Sequence, residues 1–307
     1  MKYVNTHGYD MSIFSLGTVQ LGIDYGFGEF RTKPTKERSD AILNKAYELG
    51  VNNLDTANNY GESERVIGNW MKETGKKPII VTKIGPFDHS SPEALRADIL
   101  AQGRKCLEDL QVDQIDILMD HNYEDFEQNP EIVKECFEQL RAEGVTKLIG
   151  ISAYSHNDYE AIANSGFDVV QIPQNIFDWT QIDNGGIQKM ADAGMAIFAR
   201  SVFLQGLVFM KPDELDEDMK FCAPWIQKFR DLADEFGLEP QILALSFVLS
   251  LPAITTVVLG CQTPEQIESN CEMMDKVVEL TEDQLEKIHN AFKDIDRKVI
   301  NPVLWHK

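Results

Sequence analysis

The chain has 307 residues, a length that suits one closed α/β barrel of about 250 residues with insertions. Hydrophobic residues make up 43% and charged residues 26%, which supports a large core and argues against wholesale disorder. The formal net charge of −21 argues against a nucleic-acid-binding surface, because neutralising phosphates requires clustered lysine and arginine.

The sequence also argues against a membrane segment and against a disulfide or zinc framework. No apolar run approaches the roughly 20 residues that cross a bilayer. Residues 1–8 lack the basic and then apolar layout of a signal peptide. The five cysteines are odd in number and form no Cys-x-x-Cys pair, which indicates reduced thiols. We therefore expect a soluble, cytoplasmic protein without metal, nucleic acid or membrane as a partner; no pattern specifies its oligomeric state.

Short apolar runs alternate with helical patterns along the whole chain. The apolar runs predict eight strands, at residues 12–17, 51–55, 78–83, 115–120, 145–152, 169–172, 195–200 and 255–259. Helical spacing predicts helices at residues 38–49, 64–73, 94–110, 131–143, 158–164, 186–193, 224–236 and 240–251. Glycine follows several of these helices, at Gly50 and Gly144, where a left-handed cap is expected.

Eight strand–helix units without a break in composition favour one (β/α)8 barrel domain over residues 1–307. We expect an N-terminal strand or hairpin in front of the barrel. Residues 282–292 predict an extra C-terminal helix, which an irregular tail follows. The alternative is an open doubly wound sheet, for which Gly-x-Gly-x-x-Gly would follow the first strand. The turn at residues 16–22 reads LGTVQLG and does not fit that pattern.

In such barrels the active site is built from residues at the C-terminal ends of the strands. The predicted strand ends are polar or ionisable: Asp55, Lys83, Asp120, His121, Ser152, Gln171, Asn175, Arg200, Ser201, Gly260 and Cys261. A single charge of this kind is usually half of a structural ion pair, and Asp55 and Lys83 could serve only each other. That interpretation weakens because Tyr60 and His121 project toward the same place, the opening at the C-terminal ends of the strands, which we call the mouth of the barrel.

These four side chains suit proton delivery to a carbonyl oxygen. Tyrosine is a poor acid near neutral pH, with an ordinary pKa of about 10, and a neighbouring lysine ammonium is expected to lower that pKa. A carboxylate keeps the ammonium charged and in place, and an imidazole orients the carbonyl oxygen as negative charge develops. No third ligand accompanies Asp120 and His121, so a metal site is not expected.

The chain resembles the aldo-keto reductase family over roughly residues 12–292. The resemblance rests on segments in the family's order: LDTANNYGESE at 54–64, VTK at 81–83, LMDH at 118–121, GIS at 150–152, VQIPQN at 170–175 and TPEQIESN at 263–270. It implies that Tyr60 is the general acid in reduction and the base in oxidation. It also implies that Lys83 and Asp55 tune Tyr60, and that His121 positions the carbonyl.

The same resemblance implies a nicotinamide cofactor. Ser152 and Gln171 would contact its carboxamide, and Gly17 and Thr18 would line the mouth. The loop at 201–210 would lie over the pyrophosphate. The residues implied on the pyrophosphate and adenosine side are Ser201, Gly206, Gly260, Gln266 and Asn270. Segments 17–26 and 200–206 resemble bacterial members of carbohydrate metabolism, so an aldehyde, ketone or sugar-derived carbonyl substrate is expected, with a sugar somewhat preferred.

Two departures from the family pattern affect the nicotinamide end of the site. Ala153 stands where the family commonly has asparagine, which removes one carboxamide contact. Arg200 stands where a tyrosine often stacks on the nicotinamide. A guanidinium also stacks on flat rings, but its charge disfavours the oxidised nicotinamide. Arg200 could instead face an acidic substrate or a protein carboxylate, and a structural ion pair is the preferred interpretation.

A third departure affects the adenosine end. Many relatives place a basic residue at the positions of Gly260 and Gln266, where it pairs with the 2′-phosphate of NADP. The resemblance therefore implies NADP(H) as the cofactor, whereas the absence of basic residues at these two positions leaves NAD(H) as an alternative. Helix N-terminal amides near Thr263 could still bind a phosphate.

Two other functions stay open beside reversible carbonyl reduction. One is a regulatory subunit that binds the cofactor and turns over slowly. The other is a barrel lyase that uses Lys83 as a Schiff base, although that needs a depressed lysine pKa and Asp55 should raise it. For the substrate pocket, we expect contributions from Trp305 and from the loop that holds Tyr25, Phe27 and Phe30.

Overall fold

The computed structural model describes residues 1–25 and 32–305. An antiparallel hairpin of β1 (Tyr3–Thr6) and β2 (Tyr9–Ser12) comes first. Eight parallel strands then close into a barrel: β3 (Phe14–Gly17), β4 (Asn53–Asp55), β5 (Ile79–Ile84), β6 (Ile115–Asp120), β7 (Thr146–Ser152), β8 (Val169–Pro173), β9 (Ala196–Arg200) and β10 (Ile254–Gly260). The last strand pairs with the first barrel strand, Gly260 opposite Gly17. The predicted (β/α)8 barrel is confirmed.

Helices surround the barrel. Those of the described chain are α1 (Val19–Gly22), α2 (Lys36–Glu48), α3 (Ser63–Thr74), α4 (Pro92–Leu110), α5 (Tyr123–Gln128), α6 (Pro130–Ala142), α7 (Tyr159–Ala163), α8 (Thr180–Asp183), α9 (Gly186–Asp192), α10 (Ala223–Phe236), α11 (Pro240–Ser250), α12 (Pro264–Asp275), α13 (Glu282–Phe292) and α14 (Arg297–Ile300). Short 3-10 helices lie at Leu204–Phe209, Pro212–Glu214, Glu217–Cys222 and Pro302–Leu304.

Local signals account for the ends of the main helices. Thr35, Ser91 and Thr263 each accept a backbone N–H at a helix start, which satisfies a donor that the helix leaves unpaired. Gly50 and Gly144 have φ of 83° and 79°, so both expected left-handed glycines are confirmed. None of the helices in the described ranges is long and apolar enough to cross a membrane.

The hairpin closes the N-terminal end of the barrel. Its turn places His7 and Gly8 at positive φ, the geometry that tight hairpins favour. Met11 of β2 is fully buried with side chains inside the barrel, which include Val81, Met119 and Phe198. The open face of the barrel is therefore the opposite one, where the strands end.

The tail after α13 packs on the protein through Trp305. Trp305 is buried, and its indole N–H donates to the carbonyl oxygens of Lys298 at 3.0 Å and Val299 at 3.2 Å. The expectation that Trp305 contacts substrate is therefore wrong, because its ring belongs to the hydrophobic core.

Candidate active site

A buried ion pair lies at the centre of the strand ends. Asp55 ends β4, and Lys83 lies one residue before the end of β5. The Lys83 Nζ donates to both Asp55 carboxylate oxygens at 2.8 Å and to the Thr56 carbonyl at 3.0 Å. Both side chains are almost completely buried. The structure thus brings together the two charges that the sequence predicted as neighbours.

A third group completes the environment of Asp55. Gln171 in β8 is buried, and its Nε2 donates to Asp55 Oδ1 at 2.7 Å. Ser152 is its register partner on β7. One amide N–H of Gln171 therefore bonds to the carboxylate, a supporting role that the sequence did not reveal. The second amide N–H is left to Gln171, which pairs in register with Ser152, the other residue expected to contact the nicotinamide carboxamide.

Tyr60 and His121 lie over this pair. The turn after β4 carries Tyr60. His121 directly follows β6, and its backbone N–H donates to the carbonyl of Ile84 at 2.9 Å. The two rings meet edge to face, with centroids 5.6 Å apart and planes at 76°. The Lys83 ammonium lies 5.5 Å from the centre of the Tyr60 ring. All four predicted proton-transfer residues therefore share one mouth.

The pKa of Tyr60 differs from the expectation. Burial, with a second contribution from the charge of Asp55, raises the pKa of Tyr60 above its ordinary value. Arg200 is the charge that opposes this rise. The expectation that the pKa of Tyr60 is lowered is therefore wrong, because burial, with Asp55 adding to it, raises that pKa. Tyr60 is a neutral phenol throughout the neutral range, as a proton donor must be.

Burial also shifts the pKa values of Lys83 and His121. It lowers the pKa of Lys83, and Asp55 acts in the opposite direction, as the sequence analysis expected for that pair. Burial, assisted by the charges of Lys83 and Arg200, lowers the pKa of His121 to about 3, so its imidazole is neutral. The Nδ1 atom of His121 is buried without a hydrogen-bond partner in the described protein. A neutral imidazole has one N–H to donate to a carbonyl oxygen.

Lys83 is poorly placed to be a Schiff-base lysine. Its side chain is buried, and its ammonium is engaged by three oxygen atoms of Asp55 and Thr56. Attack on a carbonyl needs an amine lone pair that faces the substrate. The geometry therefore argues against the lyase alternative.

Residues at the start of the mouth act as supports. Thr18 is fully buried; its hydroxyl donates to the carbonyl of Asp55 at 2.9 Å and accepts from Ser63 at 2.9 Å. Gln20, which the sequence analysis did not single out, donates to the carbonyls of Gly17 at 3.0 Å and Cys261 at 2.5 Å. It therefore ties the end of β3 to the loop after β10.

The loop after β9 has an unusual backbone. Ser201 has a φ of 60°, and Leu204, Gln205 and Gly206 follow with φ of 44°, 52° and 91°. Left-handed residues other than glycine cost roughly 1–2 kcal/mol each. Strain of this kind concentrates at ligand-binding loops. It occurs here in the loop that was expected over the pyrophosphate.

The loop after β10 holds its own polar groups. Gln266 Oε1 accepts from the backbone N–H of Gln262 at 2.6 Å, and Asn270 Nδ2 lies 3.1 Å from Cys261 Sγ. A basic residue reaches this loop from elsewhere: Arg38 of α2 donates from Nε to the carbonyl of Gln262 at 3.1 Å. Spacing within residues 263–270 gives no signal for Arg38, since α2 lies far away in the chain.

Arg200 lies at the rim of the mouth. Its guanidinium carbon is 4.5 Å from the centre of the Tyr154 ring, and its Nη2 donates to the carbonyl of Ala153 at 3.2 Å. Among residues 1–25 and 32–305, no carboxylate forms an ion pair with it within 4 Å. The preferred interpretation of Arg200 as half of a structural ion pair is therefore wrong for this part of the chain.

One side of the mouth belongs to the loop after β3. Tyr25 is half exposed, and its carbonyl accepts from Gln262 Nε2 at 3.0 Å. Phe27 and Phe30, which were expected to contact substrate, lie outside the described residues.

The sequence pattern of the Aldo/keto reductase family matches residues 14–293. The chain belongs to this family. Uncharacterized oxidoreductase YqkF of Bacillus subtilis is 27% identical in an alignment of 296 positions that covers 91% of this chain and 95% of that protein. NADH-specific methylglyoxal reductase of Escherichia coli is 23% identical over 272 residues, 75% of this chain and 80% of that protein. The holo form of aldo-keto reductase AKR11C1 from Bacillus halodurans has the same fold, with a TM-score of 0.74, 21% identity and coverage of 98% and 99%.

Family membership and the intact strand-end set agree on the reaction class. The protein is an oxidoreductase that uses a nicotinamide cofactor to reduce a carbonyl compound. Relatives named as reductases make the regulatory-subunit alternative the less favoured one.

Proposed function

We propose that the protein reduces a small aldehyde, ketone or sugar-derived carbonyl, with Tyr60 as the proton donor and His121 as the group that orients the carbonyl oxygen. The observation that carries the proposal is the convergence of Tyr60 and His121, 5.6 Å apart, over the buried pair of Lys83 and Asp55. A cytoplasmic location and the absence of a metal stay predictions from the sequence.

The residues at the mouth fit a nicotinamide cofactor. Gly17 and Gly260 are paired at the closing seam, and a Cβ would meet Val258 at 3.3 Å from Gly17 and Gln20 at 3.6 Å from Gly260, so side chains larger than glycine would crowd this rim. We assign Ser152 and Gln171 to the nicotinamide side, and Ser201 and Gly206 to the pyrophosphate. When bound, the cofactor supplies the hydride that forms the new C–H bond. Gln266 and Asn270 belong to the adenosine end.

The protein's own part is to hold and move one proton. Neutral His121 donates a hydrogen bond to the carbonyl oxygen, and Tyr60 then gives that oxygen the proton of the new O–H bond. An alkoxide is a stronger base than a phenolate, so transfer is favourable even though the pKa of Tyr60 is raised. Lys83 and Arg200 lie near the phenolate that remains, which solvent reprotonates at this partly exposed position.

Replacing Tyr60 tests this assignment. Tyr60→Phe is expected to lower kcat by about 10²–10⁴ while cofactor affinity stays within about threefold. Tyr47→Phe is the matched control, because it removes a hydroxyl from the outer helix α2 beside Trp70. Methylglyoxal, an aromatic aldehyde and an aldose make a suitable panel. Turnover by Tyr60→Phe equal to that of the unmodified protein would contradict the assignment.

For the cofactor we propose weak discrimination between NADH and NADPH. Neither Gly260 nor Gln266 is basic, and the Gln266 amide oxygen is turned toward the N–H of Gln262. Arg38 contacts this loop through the Gln262 carbonyl. A charge-assisted contact to the 2′-phosphate is worth about 1.5–3 kcal/mol, so its loss removes about one to two powers of ten in affinity.

A fluorescence titration with both reduced cofactors tests this proposal. We expect dissociation constants for NADH and NADPH within about tenfold of each other. Gln266→Arg should then strengthen NADPH binding about tenfold or more and leave NADH unchanged. A preference for NADPH above about 100-fold in the unmodified protein would refute it, and Arg38→Gln would show whether Arg38 is the source.

A further inference from the structure

The charges at the mouth do not balance. Asp55 and Lys83 neutralise each other at 2.8 Å, His121 is neutral, and Tyr60 is a neutral phenol. The guanidinium of Arg200 adds a positive charge at the mouth. Among the described residues of the mouth, one positive charge is therefore left over, in a protein whose formal net charge is −21.

The described neighbours of Arg200 orient its guanidinium but accept few of its hydrogen bonds. One face of the guanidinium stacks on Tyr154 at 4.5 Å, and one N–H is bonded to the Ala153 carbonyl at 3.2 Å. A guanidinium has five N–H groups arranged in a planar fork. Within residues 1–25 and 32–305, most of that fork is left for another acceptor, and stacking on Tyr154 reduces the freedom that Arg200 would lose on binding it.

A partly buried cation is costly when it has no anionic partner. Carboxylate and phosphate groups match the fork geometry and form two parallel hydrogen bonds with it. Arg200 ends β9, and Gln171, two pairs deeper in the register between β8 and β9, bonds to Asp55. The charge of Arg200 acts on both Tyr60 and His121, so its guanidinium is close enough to the expected carbonyl position to meet a second, anionic group of the same substrate.

We propose that Arg200 is a specificity-determining residue that selects carbonyl substrates carrying a carboxylate or a phosphate group. The inference rests on the proposed carbonyl reduction and adds the class of substrate. Tyr154 is the positioning residue that holds the guanidinium flat. The bound anion is not part of the reaction, and its binding lowers KM more than it changes kcat.

Matched substrate pairs test the proposal. Succinic semialdehyde and butanal differ by a carboxylate, and glyceraldehyde 3-phosphate and glyceraldehyde differ by a phosphate. In the unmodified protein, kcat/KM is expected to be at least tenfold higher for the charged member of one pair. Arg200→Gln should lower kcat/KM for the charged member about 10–100-fold more than for the neutral member, with the extra loss mostly in KM. The pair that responds tells carboxylate from phosphate recognition.

Two further variants keep the result interpretable. Arg200→Lys keeps the charge without the planar fork and should recover part of the preference. Arg96→Gln removes an arginine that pairs with Glu135 on the outer helices, and it should leave both substrate pairs unchanged. Thermal unfolding of each variant checks that it is folded.

The outcomes separate the two proposals. Equal losses on charged and neutral substrates, or a cofactor dissociation constant that rises as much as kcat/KM falls, would overturn the assignment, because Arg200 would then serve the cofactor. Reduction of neutral aldehydes with no preference for anions would overturn this inference alone. Reduction of no carbonyl at all would overturn the proposed function and the inference with it.

Discussion

Asp55→Asn is the perturbation that best tests how the site is held. Asp55 accepts two hydrogen bonds from Lys83 at 2.8 Å and one from Gln171 at 2.7 Å. The asparagine keeps the size and the acceptor for Gln171, but it removes the negative charge. Lys83, whose side chain is buried, then faces no opposite charge.

The magnitude follows from the geometry. At 2.8 Å and an effective dielectric constant of about 20, the attraction between the two charges is roughly 6 kcal/mol. Removing one member of a buried pair costs about 3–5 kcal/mol, since the other charge stays desolvated. We therefore expect Asp55→Asn to lower the free energy of unfolding by about 3–5 kcal/mol at pH 7.

A variant that lacks both charges should be more stable than Asp55→Asn alone. Asp55→Asn combined with Lys83→Met leaves no buried charge, so we expect stability within about 1–2 kcal/mol of the unmodified protein. Without Asp55, the pKa of Lys83 falls further below its ordinary value. The stability of Asp55→Asn should therefore fall as pH falls and recover as pH rises toward about 10, where unfolded lysine also loses its proton.

Urea unfolding, followed by circular dichroism at pH 7 and pH 9.5, measures this coupling. The four proteins compared are the unmodified protein, Asp55→Asn, Lys83→Met and the double variant. The reasoning is refuted by either of two results. One is a cost below about 1 kcal/mol for Asp55→Asn, well under the 3–5 kcal/mol expected for a buried pair. The other is a double variant as unstable as the sum of the two single ones.

Three further predictions concern protonation and backbone strain. His121 should cause no step near pH 6.5 in the profile of kcat/KM, because its pKa is about 3; a step that disappears in His121→Gln would contradict this. Burial, with Asp125 and Glu124 contributing, raises the pKa of Asp120 well above its ordinary value, so its stabilising effect is complete below the unfolded pKa of about 3.9 and is lost as pH rises. Asp120→Asn should therefore stabilise the protein at pH 7 and not at pH 3, as urea unfolding would show; equal stability at pH 7 would oppose it. Gly206→Ala should cost about 1–2 kcal/mol through its φ of 91° alone, since a Cβ meets no atom within 4 Å. It should also weaken cofactor binding, whereas Gly75→Ala, at a φ of 71° and equally free of contacts, should cost stability only.

The barrel was predictable because each barrel strand is a short, largely apolar run, and four of them end in a polar residue, at Asp55, Asp120, Ser152 and Arg200. β6 has the predicted bounds, residues 115–120, and the others differ from the prediction by one or two residues at either end. The short helices α1, α5 and α8 were not predicted, because four to six residues are too few to show a helical period.

The site was predictable where it depends on strand order and less so where it depends on side-chain direction. Asp55, Lys83 and His121 follow from the rule that barrel sites lie at strand ends. The bonds from Gln171 to Asp55 and from Gln20 to Cys261 join residues that are distant in the chain, so no local pattern reveals them. The pKa of Tyr60 was predicted with the wrong sign, because the sequence does not show how deeply the Tyr60 hydroxyl is buried, and burial raises that pKa.

The closing seam between β3 and β10 has a consequence for synthesis. One hydrogen-bonding edge of residues 14–17 stays unpaired until residues 257–260 have been synthesised. A ribosome that adds about 5–20 residues per second takes roughly 12–50 s to bridge that interval. A nascent chain thus carries an unpaired, apolar strand edge for most of its elongation, the type of edge that invites aggregation. Yield in the cell should accordingly depend on chaperone supply more than the stability of the finished barrel would suggest.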